Sequence, residues 1–409
     1  MNIYSSAVNE AISKTLLDWP LWSAIIATIS VISLGFILTV KGIINKDWDQ
    51  AFIKFVMLLG LPSLVLKSFL ADIDIDKFIS ELSVIILGFI FYLIMTMVSR
   101  VFFLKYNRDI QDTLAMCVSL GSTAYFGLPL IREMFGTPGE LTANNFNISY
   151  WVFLCSVGFL IMSKDNTITT QVGLFTKTEL KLKKENLTPA EMELLLKDQT
   201  QLKKQLKQDG LVEARKMRNA NLKKIFSNPV LIATMIGFFI WATQLIPGIR
   251  FVSYNGVDKF SPLRVDLIFP PIANILTALA AVCTPLAWIA IGMKMAKGNI
   301  KKAIKDKNVW YATFIRIIVV PIIALILTII VATIGNASGG WTIDGIQLSV
   351  ILIMAATPPA NVIVVYAINF DKEPELACNL TSISTIAAIV TMPIWTVIGA
   401  VLGSTPIFN

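Results

Sequence analysis

The chain has 409 residues, of which 55% are hydrophobic and only 15% charged, with a formal net charge of +8 and no histidine. Apolar residues run in blocks of about 20, the length a helix needs to cross a hydrocarbon core of roughly 30 Å. Charges fall between those blocks, which excludes a soluble globular domain, and the missing histidine removes the commonest proton relay and metal ligand.

In chain order, Met1–Trp19 is polar and of mixed charge, without the basic start and short apolar run of a cleavable leader. Ten spans are then expected, over residues 21–42, 51–70, 82–104, 111–135, 147–163, 227–247, 271–296, 309–334, 346–369 and 378–402. Span two carries "GLPSLVLKSF" (Gly60–Phe69), with Pro62 and Lys67. Span four carries "GSTAYFGLPL", with Gly121, Ser122, Thr123, Gly127 and Pro129. Span seven carries "CTPLAWIAIG" around Pro285, span eight carries Arg316, and span nine "ATPPANVIVV", with Thr357, Pro358, Pro359 and Asn361. The cysteines Cys117, Cys155, Cys283 and Cys378 lie in or beside spans without CxxC spacing and read as small packing residues, not a disulfide or metal set.

Charge sets an orientation. Lys41 and Lys46; Arg100, Lys105 and Arg108; and Lys294, Lys297, Lys301, Lys302, Lys305 and Lys307 fall on one side of the ten spans. "ADIDIDK" (Ala71–Lys77) and "GNASGGWTIDG" (Gly335–Gly345) fall on the other. The positive-inside rule makes the first side cytoplasmic and both termini extracytoplasmic, in a multi-pass protein of the cell membrane. The longest polar stretch, Lys164–Lys224, holds 14 basic and 8 acidic residues, a balance of +6. It reads as a cytoplasmic loop facing anionic headgroups and not nucleic acid. "TPAE" (Thr188–Glu191) predicts a capping box opening a helix within it. Three regions follow: 1–163, the loop 164–226, and 227–409.

Five spans on either side of the loop give inverted repeats, because an odd number returns the second half through the membrane from the opposite side. The punctuation recurs at matching spans, two with seven and four with nine. An unpaired peptide group in hydrocarbon costs several kcal/mol, so a span unwinds only where protein, water or ligand meets the freed groups. Paired Gly/Pro interruptions in two halves of a transporter point to its substrate site; simple proline kinks are the bland alternative. Half-helix N-termini near Pro129 and Asn361 would aim positive partial charge at the midplane. Asp112, Glu133, Asp371 and Glu375 lie at or beyond span ends, so no deep carboxylate is expected for a cation. The ionisable groups that enter spans, Lys67 and Arg316, are cationic and favour an anion, although both can instead snorkel to an interface. Arg316 lies seven or eight residues into span eight, about 11–12 Å at the helical rise.

"LGLPSLVLKSF", "STAYFGLPLIREMFG", "SNPVLIATMIGFF", "TPLAWIAIGMKMA", span nine and "TSISTIAAIVTMPIW" (Thr381–Trp395) together resemble the auxin efflux carrier family in its broad sense, including bacterial malate and malonate permeases. The resemblance implies an all-α membrane protein with two inverted five-helix repeats, and spans four and nine crossing at their breaks. This architecture is like that of sodium–proton antiporters and bile acid symporters. It also implies secondary transport of a small organic anion, malate or a similar carboxylate, by alternating access, without cofactor. Plant members typically carry an asparagine at the span-four crossover, where this chain has Ser122 and Thr123, which turns the expectation away from an aromatic auxin-like substrate.

The expected site comprises Gly121, Ser122, Thr123, Gly127, Pro129, Thr357, Pro358, Pro359 and Asn361, with Pro62, Lys67, Pro285 and Arg316 nearby. Proton coupling and a homodimer stay open. So do two rival classes, a cation antiporter on the same fold and a non-transporting sensor using the basic loop. With no Cys–His pair and no phosphate-binding lysine loop, neither an enzyme nor an ATP-driven pump is expected.

Overall fold

Helices begin where short polar side chains can take orphan backbone amides. In the computed structural model, which describes residues 17, 19–45, 47–163, 229–254, 256–297 and 303–408, Asp74 accepts from Lys77 N at the start of α4 (Ile75–Val98). Asn107 does the same for Ile110 N before α5 (Arg108–Ser119), and Asp344 forms a capping box with Gln347 before α13 (Gly345–Ala356). The basic loop with its Thr188–Glu191 box, as well as Lys46, Lys301 and Lys302, lies outside the described residues.

The remaining helices are α1 (Trp19–Val40), α2 (Trp48–Phe55), α3 (Leu61–Phe69), α6 (Leu128–Phe153), α7 (Phe159–Met162), α8 (Pro229–Thr243), α9 (Val265–Ile268) and α10 (Pro270–Lys297). After them come α11 (Lys307–Phe314), α12 (Val320–Ser338), α14 (Asn361–Asn369) and α15 (Pro374–Gly403). A small hairpin, β1 (Val252–Tyr254) and β2 (Val257–Phe260), precedes α9. Six helical stretches among the described residues are long and apolar enough to cross a membrane: Trp48–Phe69, Ile75–Phe103, Thr123–Met162, Pro270–Ala296, Lys307–Ser338 and Pro374–Gly403. Ile26–Val40, Pro229–Thr243 and Gly345–Ala356 are apolar but shorter.

Proline shapes the long helices. The π turns Val56–Gly60, Thr123–Gly127 and Ile315–Val319 each end two residues before a proline, Pro62, Pro129 or Pro321. A wider turn accommodates the missing donor. At Pro321 the freed carbonyl of Ile317 is taken by the indole N–H of Trp395 at 2.8 Å. Pro285 behaves differently from expectation. It is exposed, and α10 runs through it without interruption, so span seven has no counterpart to the π turn before Pro62 in span two, with which it was expected to match. The expected connection 136–146 is also corrected. Gly136, at φ 59° and ψ −148°, is the non-helical residue, and the helix resumes at once around Pro138. Polar residues that read as loop, Glu140, Asn144 and Asn145, are therefore interior.

Two groups of helices pack among themselves. One holds α1, α2–α3, α8 and α10; the other holds α4, α5, α6 and α11 to α15, and α6 is the member of it that reaches across to the first. The second group presents apolar side chains outward. Ile322, Ile326, Ile330 and Ile334 recur every fourth residue on α12 and are exposed, as a lipid-facing stripe would be, while Ala324, Thr328 and Ala332 form its buried face. Away from the spans, Arg264 bridges Asp72 (2.6 Å) and Asp266 (2.9 Å). Burial works against its charge, and those hydrogen bonds and carboxylates outweigh burial, so its pKa is raised.

At the far end of α5, the buried Lys372 ammonium lies 3.2 Å from Asp112 and 3.8 Å from Asp109, and it donates to Ile161 O at 3.1 Å. Arg100 reaches the same Asp112 at 2.5 Å. Because Lys372 is buried, removing its closest counter-charge leaves an ill-compensated cation. Asp112→Ala should remove about 3 kcal/mol of stability, read as a lower thermal midpoint in detergent, whereas Arg100→Ala, at a half-buried position more open to solvent than Lys372, should lower it less.

Candidate functional site

Two chain segments leave helical geometry and meet. Leu120 is extended after α5, and Ser122 (φ −80°, ψ 54°) precedes the π turn that restarts the helix. Thr357 (φ −60°, ψ 148°) and Ala360 (φ −66°, ψ 131°) are extended between α13 and α14. The segments pair antiparallel at Gly121 and Pro359: Ser122 N donates to Pro358 O at 2.7 Å, and Ala360 N donates to Leu120 O at 2.9 Å. Pro358 and Pro359 have no N–H to lose.

Two further carbonyls at the breaks, those of Val118 and Thr357, are met by Arg316, which is 1% exposed. Its Nη1 donates to Val118 O at 2.7 Å, its Nε to Thr357 O at 2.6 Å and its Nη2 to Thr357 Oγ1 at 3.0 Å. One guanidinium thus binds both breaks, so Arg316 neither snorkels nor waits for a ligand. The expectation that a guest must satisfy the unwound main chain is corrected here: for these carbonyls, the protein itself does so. The same guanidinium explains Gly121. A β-carbon there would lie 1.9 Å from Arg316 Nη2 and 2.2 Å from Thr357 Oγ1.

Beside the crossing is a pocket with about 450 Å³ of empty space, counting its open mouth. Ser122, Pro358, Pro359 and Asn361 line it from the breaks, Lys294 and Met295 from the last turns of α10, and Cys378, Thr381, Ser382 and Thr385 from the first turns of α15. The half-buried Lys294 places its ammonium 2.6 Å from Asn361 Oδ1. α14 begins at Asn361 with no side-chain cap, so its amide end, with the positive end of its dipole, stands at the pocket. The hydroxyls of Thr381, Ser382 and Thr385 donate back to carbonyls four residues earlier, at 2.8, 2.9 and 2.7 Å. Their lone pairs are therefore left for a donor.

Of the residues expected at the site, Ser122, Pro358, Pro359 and Asn361 line the pocket. Gly121, Thr357 and Arg316 form the crossing behind it, and buried Thr123, Gly127 and Pro129 form the restart of the span-four helix. The Thr123 hydroxyl is buried without a hydrogen-bond partner. Pro62, Lys67 and Pro285 do not line the pocket. Lys67 is half-buried on α3 and, with Arg132, acts electrostatically on Glu140. Lys294 and the α15 hydroxyls were missed: Lys294 looks like one more flanking charge, although its place two residues inside an expected span is a signal for it. The thiols of Cys117, Cys283 and Cys378 are free; the side chain of Cys155 lies outside the described residues.

Arg316→Lys keeps the charge but not the three-armed fork, leaving Val118 O or Thr357 O without a partner. A buried unsatisfied carbonyl costs about 1–3 kcal/mol, so the thermal midpoint in detergent should fall clearly. Gly121→Ala should fall comparably, because the added methyl displaces the same guanidinium.

A search of curated proteins finds no match for the chain. A family profile described as membrane transport protein matches residues 20–396. The match runs through both breaks, Arg316, Lys294 and the pocket wall of α15. The chain therefore belongs to the membrane transport protein family, that of the auxin efflux carriers, and is a multi-pass membrane transporter.

Proposed function

We propose that the protein is a secondary transporter of a small organic anion, with malate or a similar hydroxycarboxylate bound in the pocket beside the crossing. The observation that carries this is the meeting of Lys294 with the uncapped start of α14 at Asn361. A carboxylate there gains a charge-assisted hydrogen bond and the positive end of a helix at once. The lone pairs of Thr381, Ser382 and Thr385 suit a substrate hydroxyl, which a hydroxycarboxylate supplies and a plain cation does not. Phe126 is the single aromatic ring in the pocket wall among the described residues, which favours an aliphatic acid over an aromatic one.

In this reading the chain is two inverted five-helix repeats, 1–163 and 227–409, joined by the basic loop 164–226. The cytoplasmic side is that of Lys294, Lys305 and Lys307, in the cell membrane with both termini outside. The pocket lies on that side of the crossing, between α10 and α15. On the other side the two helix groups touch: Asn144 Nδ2 donates to Ser68 Oγ at 2.6 Å, and Arg132 Nη1 to Ala280 O at 3.1 Å. The conformation is thus inward-facing, and alternating access slides the crossing past α3 and α10.

The test is uptake by purified protein in proteoliposomes, preceded by a thermal-shift screen of mono-, di- and tricarboxylates, since ligands that bind the native state raise its apparent stability. Lys294→Ala and Asn361→Ala should each weaken carboxylate binding about tenfold or more while leaving the ligand-free midpoint nearly unchanged. Lys294→Arg should retain part of the affinity. Uptake kinetics unaltered by both alanine variants would remove the pocket from the transport path.

A further inference from the structure

A second polar cluster, separate from the pocket, sits at the opposite end of α13. Glu81 lies six residues into α4, about 9 Å along the helix, and is 2% exposed. It corrects the expectation that no carboxylate is deep, having looked like the last residue before a span. Its Oε1 accepts from Thr142 Oγ1 at 2.6 Å and from Gln347 Nε2 at 3.1 Å, and its Oε2 accepts from Asn145 Nδ2 at 2.9 Å. Thr142 and Asn145 come from α6 and Gln347 from the first turn of α13, ten residues before Thr357.

Among the described residues, no lysine or arginine forms an ion pair with Glu81. The charge that acts on it from a neighbouring element is that of Asp344, the N-cap of α13, which has the same sign. A buried carboxylate with no cation paired to it is costly inside a membrane protein. Asn145 adds the second observation. It is wholly buried, and while its Nδ2 serves Glu81, its Oδ1 has no hydrogen-bond partner. An orphan acceptor beside a carboxylate does nothing for the anion. It serves a guest that brings a donor proton or a positive charge.

We propose that Glu81, Asn145, Thr142 and Gln347 form the binding site for the coupling cation of this carrier, a proton or a sodium ion. The inference rests on the reading of the chain as a secondary transporter of an organic anion. A dianionic substrate such as malate moves inward against a negative interior, and a co-bound cation offsets part of that charge. The site also lies beside the contact between the two helix groups. Asn144, the neighbour of Asn145, bonds Ser68 on α3, so the state of Glu81 is one residue from the joint that must open.

Binding is measured first on the wild-type protein, without any organic substrate. Thermal midpoints are taken in sodium chloride and in choline chloride at equal ionic strength, across mildly acidic to mildly alkaline pH, for wild type, Glu81→Gln and Asn145→Ala. A sodium site gives a sodium-specific rise that saturates, is absent in Glu81→Gln, and needs about tenfold more sodium in Asn145→Ala. A proton site gives no sodium effect but a rise as pH falls, since the native state then binds the extra proton, and that rise is missing from Glu81→Gln. Should Glu81→Gln fail to fold, Asn145→Ala supplies the comparison. Wild-type midpoints equal in both salts, with a pH dependence shared by the variants, overturn the proposal.

The transport arm separates this from the substrate assignment. In proteoliposomes, Glu81→Gln should lose malate accumulation driven by a sodium or proton gradient while keeping malate counterflow. A wild-type protein that moves no carboxylate, yet shows the Glu81-dependent cation effect, removes the substrate and keeps the site. Gradient-driven accumulation that survives in Glu81→Gln removes the site and keeps the substrate.

Discussion

A peptide group without a partner is nearly forbidden in hydrocarbon, and the centre of this protein is built around that prohibition. Two helices stop midway, at Ser119 and Ala356, and the chain between their halves must account for every carbonyl it frees. Two main-chain bonds join the breaks to each other, two prolines remove donors that would have needed partners, and Arg316 takes the carbonyls of Val118 and Thr357. The outcome is asymmetric. Acceptors are consumed within the protein, while the amide end of α14 stays turned to a pocket that holds Lys294. What the pocket presents is therefore backbone N–H groups and an ammonium rather than free carbonyls of Val118 or Thr357.

Much of this skeleton is legible in the residues. Gly121, Pro129, Pro358 and Pro359 announce breaks because glycine and proline inside an apolar run have few other uses, and those breaks lie at the crossing. Their punctuation is less reliable elsewhere: Pro285 sits on the outer face of an unbroken α10, where a helix tolerates it. Side-chain direction is what the sequence hides. Arg316 and Lys294 are both cations within two apolar runs, yet one is a structural clasp and the other faces the pocket, and only the packing of distant segments separates them. Glu81 and Glu140 escaped notice for a related reason. A hydropathy average assigns a carboxylate near a span end to the interface, and cannot register that Thr142, Asn145 and Gln347 converge on it from far along the chain.

The two helix groups are joined differently on the two sides of the crossing. On the side of the pocket, α10 and α15 stand apart around empty space. On the other, small and polar contacts bring them together: Ser68 with Asn144, and the carbonyl of Ala280 with Arg132. Single hydrogen bonds of this kind are worth about 1 kcal/mol net, weak enough to exchange during a transport cycle. The clasp at Arg316 instead joins its two segments through three bonds from one buried guanidinium.

Arg316 also has an electrical consequence. Guanidinium holds its proton under all physiological conditions, and no carboxylate among the described residues forms an ion pair with it. Any displacement of the crossing along the membrane normal therefore drags a fixed charge through the field. A full crossing of 100 mV is worth about 2.3 kcal/mol per elementary charge, and a partial one proportionally less. In a carrier whose crossing moves in this way, voltage would bias the resting position of the empty protein.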